Sequence, residues 1–319
     1  MKVGKYSKII KYIGKALTLL TTFYLFIAIK KTNISIGKID KELIIIAAIG
    51  SIIALFSLFI LSFAWKVALE YLGNTKIDYE DIWPIYMKAN IGKYLPGNVM
   101  HYIERNLFAS GIGLSQILIA AGSILEIVLI VITALIMSFI FLNDKIFIVL
   151  INVLNIKFIY LLVIFGVLSI LIFCICLFNK EKVIILWKEI KEQKYSTRKF
   201  IFTVLKILLL YAAVLFSYGF CFALIGSYIF GISLSVKMFG YLISCYILAW
   251  LAGYCIPGAP GGIGVREFVL ILLAETIMGD SNILIAVVIQ RLFGILGDIL
   301  GYLLSTVKFI RRDKNRGDE

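Results

Sequence analysis

The chain has 319 residues, of which 61% are hydrophobic and 16% charged, and its mean hydropathy is +1.01. Apolar runs of the roughly 20 residues that cross a bilayer recur along it, which excludes an ordinary soluble protein and predicts a polytopic integral membrane protein. The net charge of +13 would suit nucleic acid, but the lysines and arginines lie mainly in the termini and between the apolar runs. Basic residues at those positions set orientation and contact anionic headgroups, so we expect no nucleic-acid partner.

The apolar segments predict an all-α bundle of membrane-spanning helices. The first run is no cleavable signal, because no small-residue cleavage site closes it and further spans follow. We expect full spans at about residues 12–29, 43–65, 116–142, 158–178, 201–230 and 283–304. The segments 239–256 and 265–278 form either a re-entrant hairpin, which leaves six spans, or two further crossings, which makes eight.

The basic residues predict the orientation of this bundle. They concentrate in the N-terminus, in the loop at 179–200 and in the tail at 308–319. Because cytoplasmic loops carry an excess of lysine and arginine, we expect that loop and both termini in the cytoplasm, with the protein in the plasma membrane. Four lysines oppose this orientation, because they would lie outside: Lys30, Lys31, Lys38 and Lys41.

One stretch of the second half interrupts the apolar sequence. Residues 253–267 contain two prolines, five glycines and the adjacent pair Arg266 and Glu267. Proline removes an amide donor, and glycine permits backbone angles that other residues resist, so we expect a broken helix here. The residues expected to form the break are Gly253, Pro257, Gly258, Pro260, Gly261, Gly262 and Gly264.

The same pattern occurs once earlier in the chain. Two sets of residues match in order at a constant offset of 161: Gly92, Pro96, Gly97 and Arg105, and Gly253, Pro257, Gly258 and Arg266. The offset is about half the chain, and it predicts two repeats, at 43–178 and 201–307, within one transmembrane domain of residues 1–319. If each break is a re-entrant hairpin, the repeats have opposite orientation, which is the plan of many secondary transporters.

Charged residues within apolar or broken segments are the candidate functional residues, because such groups normally face a cavity or a partner. They are Glu104, Arg105, Glu126, Arg266, Glu267, Arg291 and Asp298. Arg291 and Asp298 are seven residues apart and so share one helix face. Arginine favours a phosphate ligand, which its planar fork binds at two points, and free amides at the helix starts would add to an anion site. The alternative is that these residues only pair with one another at helix interfaces.

The sequence offers little catalytic or metal-binding chemistry. His101 is the only histidine, which is more often a structural residue than a catalyst, and we keep it as a candidate substrate contact. We find no metal-ligand spacing, no Gly-x-Ser-x-Gly motif and no phosphate-binding Gly-Lys-Ser/Thr loop. We therefore expect no enzyme, no metal and no cofactor. Five cysteines lie in apolar segments, where they are expected to be buried hydrophobic residues: Cys174, Cys176, Cys221, Cys245 and Cys255.

At the two breaks, the chain resembles the flippase-like transmembrane region of the lysylphosphatidylglycerol synthase family. Residues 93–101, followed by Arg105 and Gly111, are similar to the first motif of that family. Residues 257–267 are similar to its second motif, which is the more specific of the two. The resemblance covers nearly the whole chain and implies a membrane domain that handles lipids.

The resemblance extends to single charged residues and limits what is implied. Glu126 and Arg291 fall where the family tends to carry charge, although Ile127 departs from its common Glu-Arg-x-x-Asp form. In the family's aminoacyl-lipid synthases a soluble domain follows this region and transfers an amino acid from tRNA to lipid. Because the chain ends soon after its last predicted span, we expect that domain and its activity to be absent. What is implied is translocation between leaflets of an anionic or modified phospholipid, or of a lipid-linked sugar.

Two functions follow as expectations. In a lipid translocase, Arg105 and Arg266 would hold the phosphate of the headgroup, Glu104 and Glu267 would contact its polar parts, and the acyl chains would stay in the bilayer. Alternatively, a non-transporting membrane partner would present a phospholipid or polyprenyl-linked lipid to a separate synthase or glycosyltransferase. An enzyme acting within the membrane is the weakest alternative, because no nucleophile and base are paired.

Overall fold

The computed structural model describes residues 41–94, 99–141, 197–231, 233, 235–255 and 260–317. The expected spans at 12–29 and 158–178, with Cys174 and Cys176, lie outside these residues. So do most of the loop at 179–200 and the matching pairs Pro96–Gly97 and Pro257–Gly258. The described α-helices are α1 (Lys41–Gly73), α2 (Tyr79–Asn90), α3 (Met100–Ser110), α4 (Gln116–Ile140), α5 (Thr197–Ile229), α6 (Val236–Cys255), α7 (Val265–Met278) and α8 (Asp280–Gly317). A first 3-10 turn, Ile91–Tyr94, follows α2, and a second, Pro260–Gly262, precedes α7. All elements in this part of the chain are helical, which confirms the all-α prediction for it.

Five of the described helices, α1, α4, α5, α6 and α8, are long and apolar enough to cross a membrane. This is the architecture of an integral membrane protein. Helices of spanning length are thereby confirmed for the predictions at 43–65, 116–142, 201–230 and 283–304. Among the helices of the second break, α6 meets the length criterion, whereas the 14 residues of α7 do not. At 1.5 Å per residue α7 is about 21 Å long, which is shorter than the roughly 30 Å hydrocarbon core.

Several helices extend further than the apolar runs indicate. Helix α1 continues to Gly73 through a polar segment, where Lys66 and Glu70 form an ion pair of 2.8 Å one turn apart. Helix α5 already begins at Thr197, inside the expected loop at 179–200, and α8 continues to Gly317, so most of the expected tail is helical. Lysine, arginine and glutamate are good helix formers, so a spanning helix can continue beyond its apolar part.

Helices α1 and α8 pack closely along each other through glycine. A Cβ atom on Gly297 would lie 2.5 Å from the Cβ of Ala54, and one on Gly301 would lie 2.8 Å from Cδ1 of Leu58. Membrane helices associate through such close contacts because lipid provides no hydrophobic force to press them together. Since α8 also contacts α2, α5 and α7, its side chains reach elements of both halves of the sequence.

The two broken regions have similar architecture. Helices α2 and α3 pack against each other across the first break, and α6 and α7 pack against each other across the second. Helix α2 begins where the side chain of Asp78 accepts a hydrogen bond of 3.1 Å from the backbone N–H of Glu80, which caps its N-terminus. The first 3-10 turn contacts the second and also contacts α8. The two breaks therefore meet, and α8 runs beside them.

The outer surface of the described bundle is strongly apolar. On α4 alone, Ile124, Phe139 and Ile140 are 62%, 68% and 66% exposed. A contiguous apolar surface of this kind is unfavourable in water and suits the hydrocarbon of a bilayer.

Candidate functional site

Arg105 and Glu126 form the first charged centre. Arg105 lies on α3 and is 1% exposed, and its Nη1 lies 2.6 Å from Oε2 of Glu126 on α4. The hydroxyl of Tyr86 on α2 donates to the other oxygen of Glu126 at 3.0 Å. Burial of one of these charges without the other would be costly, so each stabilises the other. The pair joins α3 to the spanning helix that follows it.

Aromatic rings surround the guanidinium of Arg105. Its Cζ lies 3.8 Å from the ring centroid of Tyr86, 5.1 Å from that of Tyr102 and 5.4 Å from that of Trp65, which are cation–π distances. Three buried polar atoms of this region have no hydrogen-bond partner among the described residues: Arg105 Nε, Trp65 Nε1 and the hydroxyl of Tyr211. All three can donate, so this centre retains donors for an acceptor oxygen.

Glu267 and Arg291 form the second charged centre. Nε and Nη2 of Arg291 on α8 lie 2.9 Å and 2.7 Å from Oε1 of Glu267. The second oxygen of Glu267 accepts a hydrogen bond of 2.7 Å from the backbone N–H of Gly264, where α7 begins. Glu267 therefore caps its own helix as well as binding Arg291. Gly264 adopts a φ of 86°, in the left-handed region that glycine enters without strain.

Arg266 is adjacent to Glu267 in sequence but has a different environment. Its side chain passes between two glycines: a Cβ on Gly253 would lie 2.7 Å from its Cγ, and a Cβ on Gly262 would lie 2.7 Å from its Nε. Its Nε is buried without a hydrogen-bond partner, and Arg266 forms no ion pair with any described residue. The phenol of Tyr246, the guanidinium of Arg291 and the carboxylate of Glu267 lie within electrostatic range of Arg266. Of the three candidate arginines, it alone lacks a paired carboxylate within the described part of the chain.

Asp298 is the third charged centre. It lies on α8 and is 3% exposed, and its partners all come from the segment where α2 ends. Nδ2 of Asn90 donates to Oδ1 at 2.7 Å, Nζ of Lys93 lies 2.6 Å from Oδ2, and the hydroxyl of Tyr94 also donates to Oδ2. These three partners were not among the sequence candidates. The signal that could have identified Lys93 is a lysine placed directly after the first glycine of a broken helix.

Arg291 and Asp298, which share a helix face, do not act together. Two helical turns separate them, and each binds a different broken region: Arg291 binds the start of α7, and Asp298 binds the end of α2 and the first 3-10 turn. The shared helix face did not indicate that Arg291 and Asp298 contact separate broken regions.

His101 and Glu104 lie at the first break beside Gly92. A Cβ on Gly92 would lie 2.8 Å from the backbone nitrogen of His101 and 2.9 Å from Oε2 of Glu104. His101 is 6% exposed, its Nδ1 has no partner among the described residues, and its ring centroid lies 3.9 Å from that of Tyr102. Glu104 is partly exposed. These contacts explain the requirement for glycine at position 92.

The two breaks have matching close approaches and are linked. Gly92 approaches the backbone of residue 101, and Gly253 approaches the backbone of residue 262. Gly253 follows Gly92 by 161 residues, and residue 262 follows residue 101 by the same 161, which is the offset found in the sequence. The hydroxyls of Tyr102 on α3 and Tyr254 on α6 lie 2.6 Å apart and join the two broken regions. The candidate residues therefore collect around the place where the 3-10 turns meet.

Metal chemistry receives no support from the part of the chain that the structure describes. Within it, no group of three or more histidine, cysteine, aspartate or glutamate residues could hold a metal ion. Cys221 and Cys245 are buried and free, as expected, whereas Cys255 is free but exposed, contrary to the prediction that it is buried.

Comparisons with known proteins do not assign this chain to a family. No protein-family model matches it, and no curated protein matches it.

Proposed function

We propose that this protein is a lipid translocase that moves an anionic or aminoacylated phospholipid, or a lipid-linked sugar, between the leaflets of the plasma membrane. The observation that carries the proposal is Arg266, a guanidinium without a paired carboxylate in the described part of the chain, placed where two broken helices meet. Charged groups inside a membrane protein normally have a partner. A phosphate oxygen is a suitable partner, because arginine binds phosphate through short, charge-assisted hydrogen bonds.

The surrounding donors favour an anionic group at the same place. Arg266 lies in the first turn of α7, and the N-terminal amides of a helix carry partial positive charge. The carboxylate of the adjacent residue, Glu267, already binds Arg291 and the backbone N–H of Gly264. Arg105 is paired with Glu126 but retains Nε as a donor, and Glu104 remains partly exposed for a polar group of the substrate.

We further propose that the chain is an inverted repeat with two re-entrant hairpins and cytoplasmic termini. The matching approaches of Gly92 and Gly253 to residues 101 and 262 support the repeat. The ion pairs support it too, because Arg105–Glu126 and Glu267–Arg291 each join the second arm of a broken region to the spanning helix that follows. In such a repeat the two leaflets have equivalent access to the site between the breaks.

The proposal is tested by leaflet exchange in proteoliposomes. The substrate is a headgroup-labelled phosphatidylglycerol, and the label in the outer leaflet is quenched from outside. We expect the parent protein to accelerate the loss of inner-leaflet label and the Arg266→Ala variant to abolish the acceleration. Arg198→Ala is the matched control, because Arg198 is an exposed arginine at the start of α5 whose Cζ lies 5.7 Å from the ring centroid of Phe202.

If the parent protein accelerates no exchange of phosphatidylglycerol, aminoacylated phosphatidylglycerol or polyprenyl-linked lipid, the translocase is refuted. Binding of the same lipids without exchange would then support the alternative, a membrane partner that presents lipid to a separate synthase or glycosyltransferase. Equal exchange by the parent and by Arg266→Ala would show that Arg266 does not bind the substrate.

A further inference from the structure

Within the described part of the chain, the partners of the Asp298 carboxylate all lie on one short segment at the first break. Asn90, Lys93 and Tyr94 all donate to it, and they lie within five residues at the end of α2 and in the first 3-10 turn. Asp298 itself is 3% exposed, on a helix that otherwise packs through glycine at this level. The charge of Asp298 therefore ties the first break to α8.

This ion pair differs chemically from the two arginine centres. Glu126 and Glu267 pair with arginine, which stays protonated at all accessible pH values. Asp298 pairs with lysine, a compact cation on a flexible stem that can turn toward another anion. The side chain of Lys93 is 30% exposed, so an incoming ligand can reach it while Asp298 stays buried.

The groups that face Asp298 favour an anion in its neighbourhood. The phenol of Tyr218 on α5 and the guanidinium of Arg266 on α7 lie within electrostatic range of the Asp298–Tyr94 pair. Helix α1 contributes apolar contacts at this level, from Ala54 and Leu58. On α8 itself the next charged group is Arg291, which is paired with Glu267. Among the described residues, Lys93 pairs only with Asp298 and Arg266 pairs with no carboxylate. The 3-10 turn that contains Lys93 contacts the turn that contains Gly262, against which Arg266 packs, so the two cations lie on neighbouring segments.

We propose that the binding of an anionic headgroup is coupled to the uptake of one proton by Asp298. The headgroup phosphate binds Arg266 and takes the ammonium of Lys93 away from Asp298, and a proton from water then neutralises the carboxylate. An ionised carboxylate left in a membrane interior without its cation is strongly disfavoured, so protonation follows the loss of Lys93. One negative charge and one proton enter together, so the net charge of the site does not change. This inference rests on the proposed function, because it uses the same headgroup site.

Linkage determines the sign of the pH dependence. In the proposed coupling the bound state holds one proton more than the free state, so headgroup affinity rises as the pH falls. With one linked proton, the affinity changes by up to about tenfold per pH unit.

The test is calorimetric titration of the full chain in detergent with dihexanoylphosphatidylglycerol. Measurement in two buffers of different ionisation enthalpy counts the protons taken up for each ligand bound. We expect about one proton for the parent and none for Asp298→Asn, which cannot be protonated in this range. Glu80→Gln is the matched control, because Glu80 pairs with Lys308 and so also joins α2 to α8, but this pair is exposed. It should take up the same number of protons as the parent.

A second variant guards against misfolding of Asp298→Asn. Lys93→Gln should bind the ligand more weakly and without proton uptake, because Asp298 has no cation to lose. Ligand binding by the parent without proton uptake would overturn the coupling and leave the proposed function intact, as would proton uptake that persists in Asp298→Asn. If the short-chain lipid does not bind, the pH dependence of leaflet exchange decides instead. A rate of leaflet exchange that depends on pH in the parent but not in Asp298→Asn supports the coupling. A parent rate that is independent of pH overturns it. Absence of both binding and exchange refutes the proposed function and the coupling together.

Discussion

Gly253 gives the sharpest structural prediction, because its missing side chain is the space that Arg266 occupies. A Cβ atom at this position would lie 2.7 Å from Cγ and 3.0 Å from Nε of Arg266, and 3.1 Å from the backbone Cα of Gly262. Carbon atoms in contact normally stay about 3.5–4.0 Å apart. The Gly253→Ala variant must therefore displace Arg266, and the backbone of Gly262 limits how far the helix can move away.

Two opposing terms set the stability of Gly253→Ala. Alanine within a helix is favoured over glycine by about 0.5–1 kcal/mol, whereas overpacking of a tight contact costs about 1–3 kcal/mol. The net effect is a destabilisation of about 0–2.5 kcal/mol, so the protein still folds. The effect on function is larger, because a hydrogen bond to a charged group contributes about 1.5–3 kcal/mol. Loss of one such bond to the headgroup slows leaflet exchange by roughly tenfold to a hundredfold.

The assay compares leaflet exchange and thermal unfolding for Gly253→Ala and Gly294→Ala. Gly294 is also helical, but a Cβ there would meet no atom within 4 Å, so its alanine variant should keep the parent exchange rate and unfold at the same or a higher temperature. If Gly253→Ala exchanges lipid at the same rate as Gly294→Ala, the reasoning is refuted, because Arg266 would then not need the space beside Gly253 to function.

Four further predictions follow from the charged centres. Glu126→Gln leaves Arg105 as a buried cation without a carboxylate and should lower the free energy of unfolding by about 3–5 kcal/mol, measured as a large fall in unfolding temperature. The double variant Arg105→Met/Glu126→Leu should lose less stability, because neither charge remains buried alone. Equal losses in the two variants would contradict the mutual neutralisation of Arg105 and Glu126. Arg266→Met should unfold at the parent temperature or above it while exchange is lost, because no described carboxylate is left unpaired; a fall like that of Glu126→Gln would show that Arg266 has a structural partner. Arg266→Lys should recover only part of the exchange, since a point charge does not reproduce a two-point contact, and full recovery would argue against such a contact. Lys308→Ala should change the free energy of unfolding by less than about 1 kcal/mol in a denaturant titration, because its pair with Glu80 is exposed, and a larger change would show that this end of α8 is held more tightly.

The burial of Arg105 and its ion pair with Glu126 change how the effect of a substitution at Arg105 is interpreted. The sequence treats Arg105 and Arg266 as equivalent members of a repeat, so each is expected to hold the headgroup phosphate. In the structure Arg105 is 1% exposed and carries the charge that neutralises Glu126. Loss of activity in Arg105→Ala would therefore combine misfolding with any loss of ligand contact, whereas Arg266→Ala isolates the ligand contact.

The helices were predictable because their signal is local. Apolar runs of spanning length and the Pro-Gly breaks determine where α1, α4, α5 and α8 lie, and the seven charged candidate functional residues all lie on helices that the structure describes. The partners of these charged residues were not predictable, because each partner is determined by packing between elements that are distant in the sequence. Glu267 pairs with Arg291, 24 residues away, and not with its neighbour Arg266, because consecutive residues on a helix point in different directions.

The missed residues have a physical explanation as well. Asn90, Lys93 and Tyr94 lie at the end of a moderately apolar segment that leads into the first break, and Lys93 and Tyr94 belong to the first motif, but the sequence alone does not single them out. They become a site only because α8 brings Asp298 against them from more than 200 residues later in the chain. A buried carboxylate in a spanning helix requires donors, but the sequence of that helix carries no information on which other segment supplies them.

The three buried carboxylates differ in the cation that each binds, which is arginine at Glu126 and Glu267 and lysine at Asp298. Arginine at Glu126 and Glu267 gives two pairs whose cations are only 1% and 18% exposed, and each pair holds the second arm of a broken region to its following helix. Lysine at Asp298 gives a pair whose cation is 30% exposed, and it holds the end of the first arm to α8. We infer that the two arginine pairs keep the breaks in place while the lysine pair allows the first break to respond to the headgroup bound at Arg266.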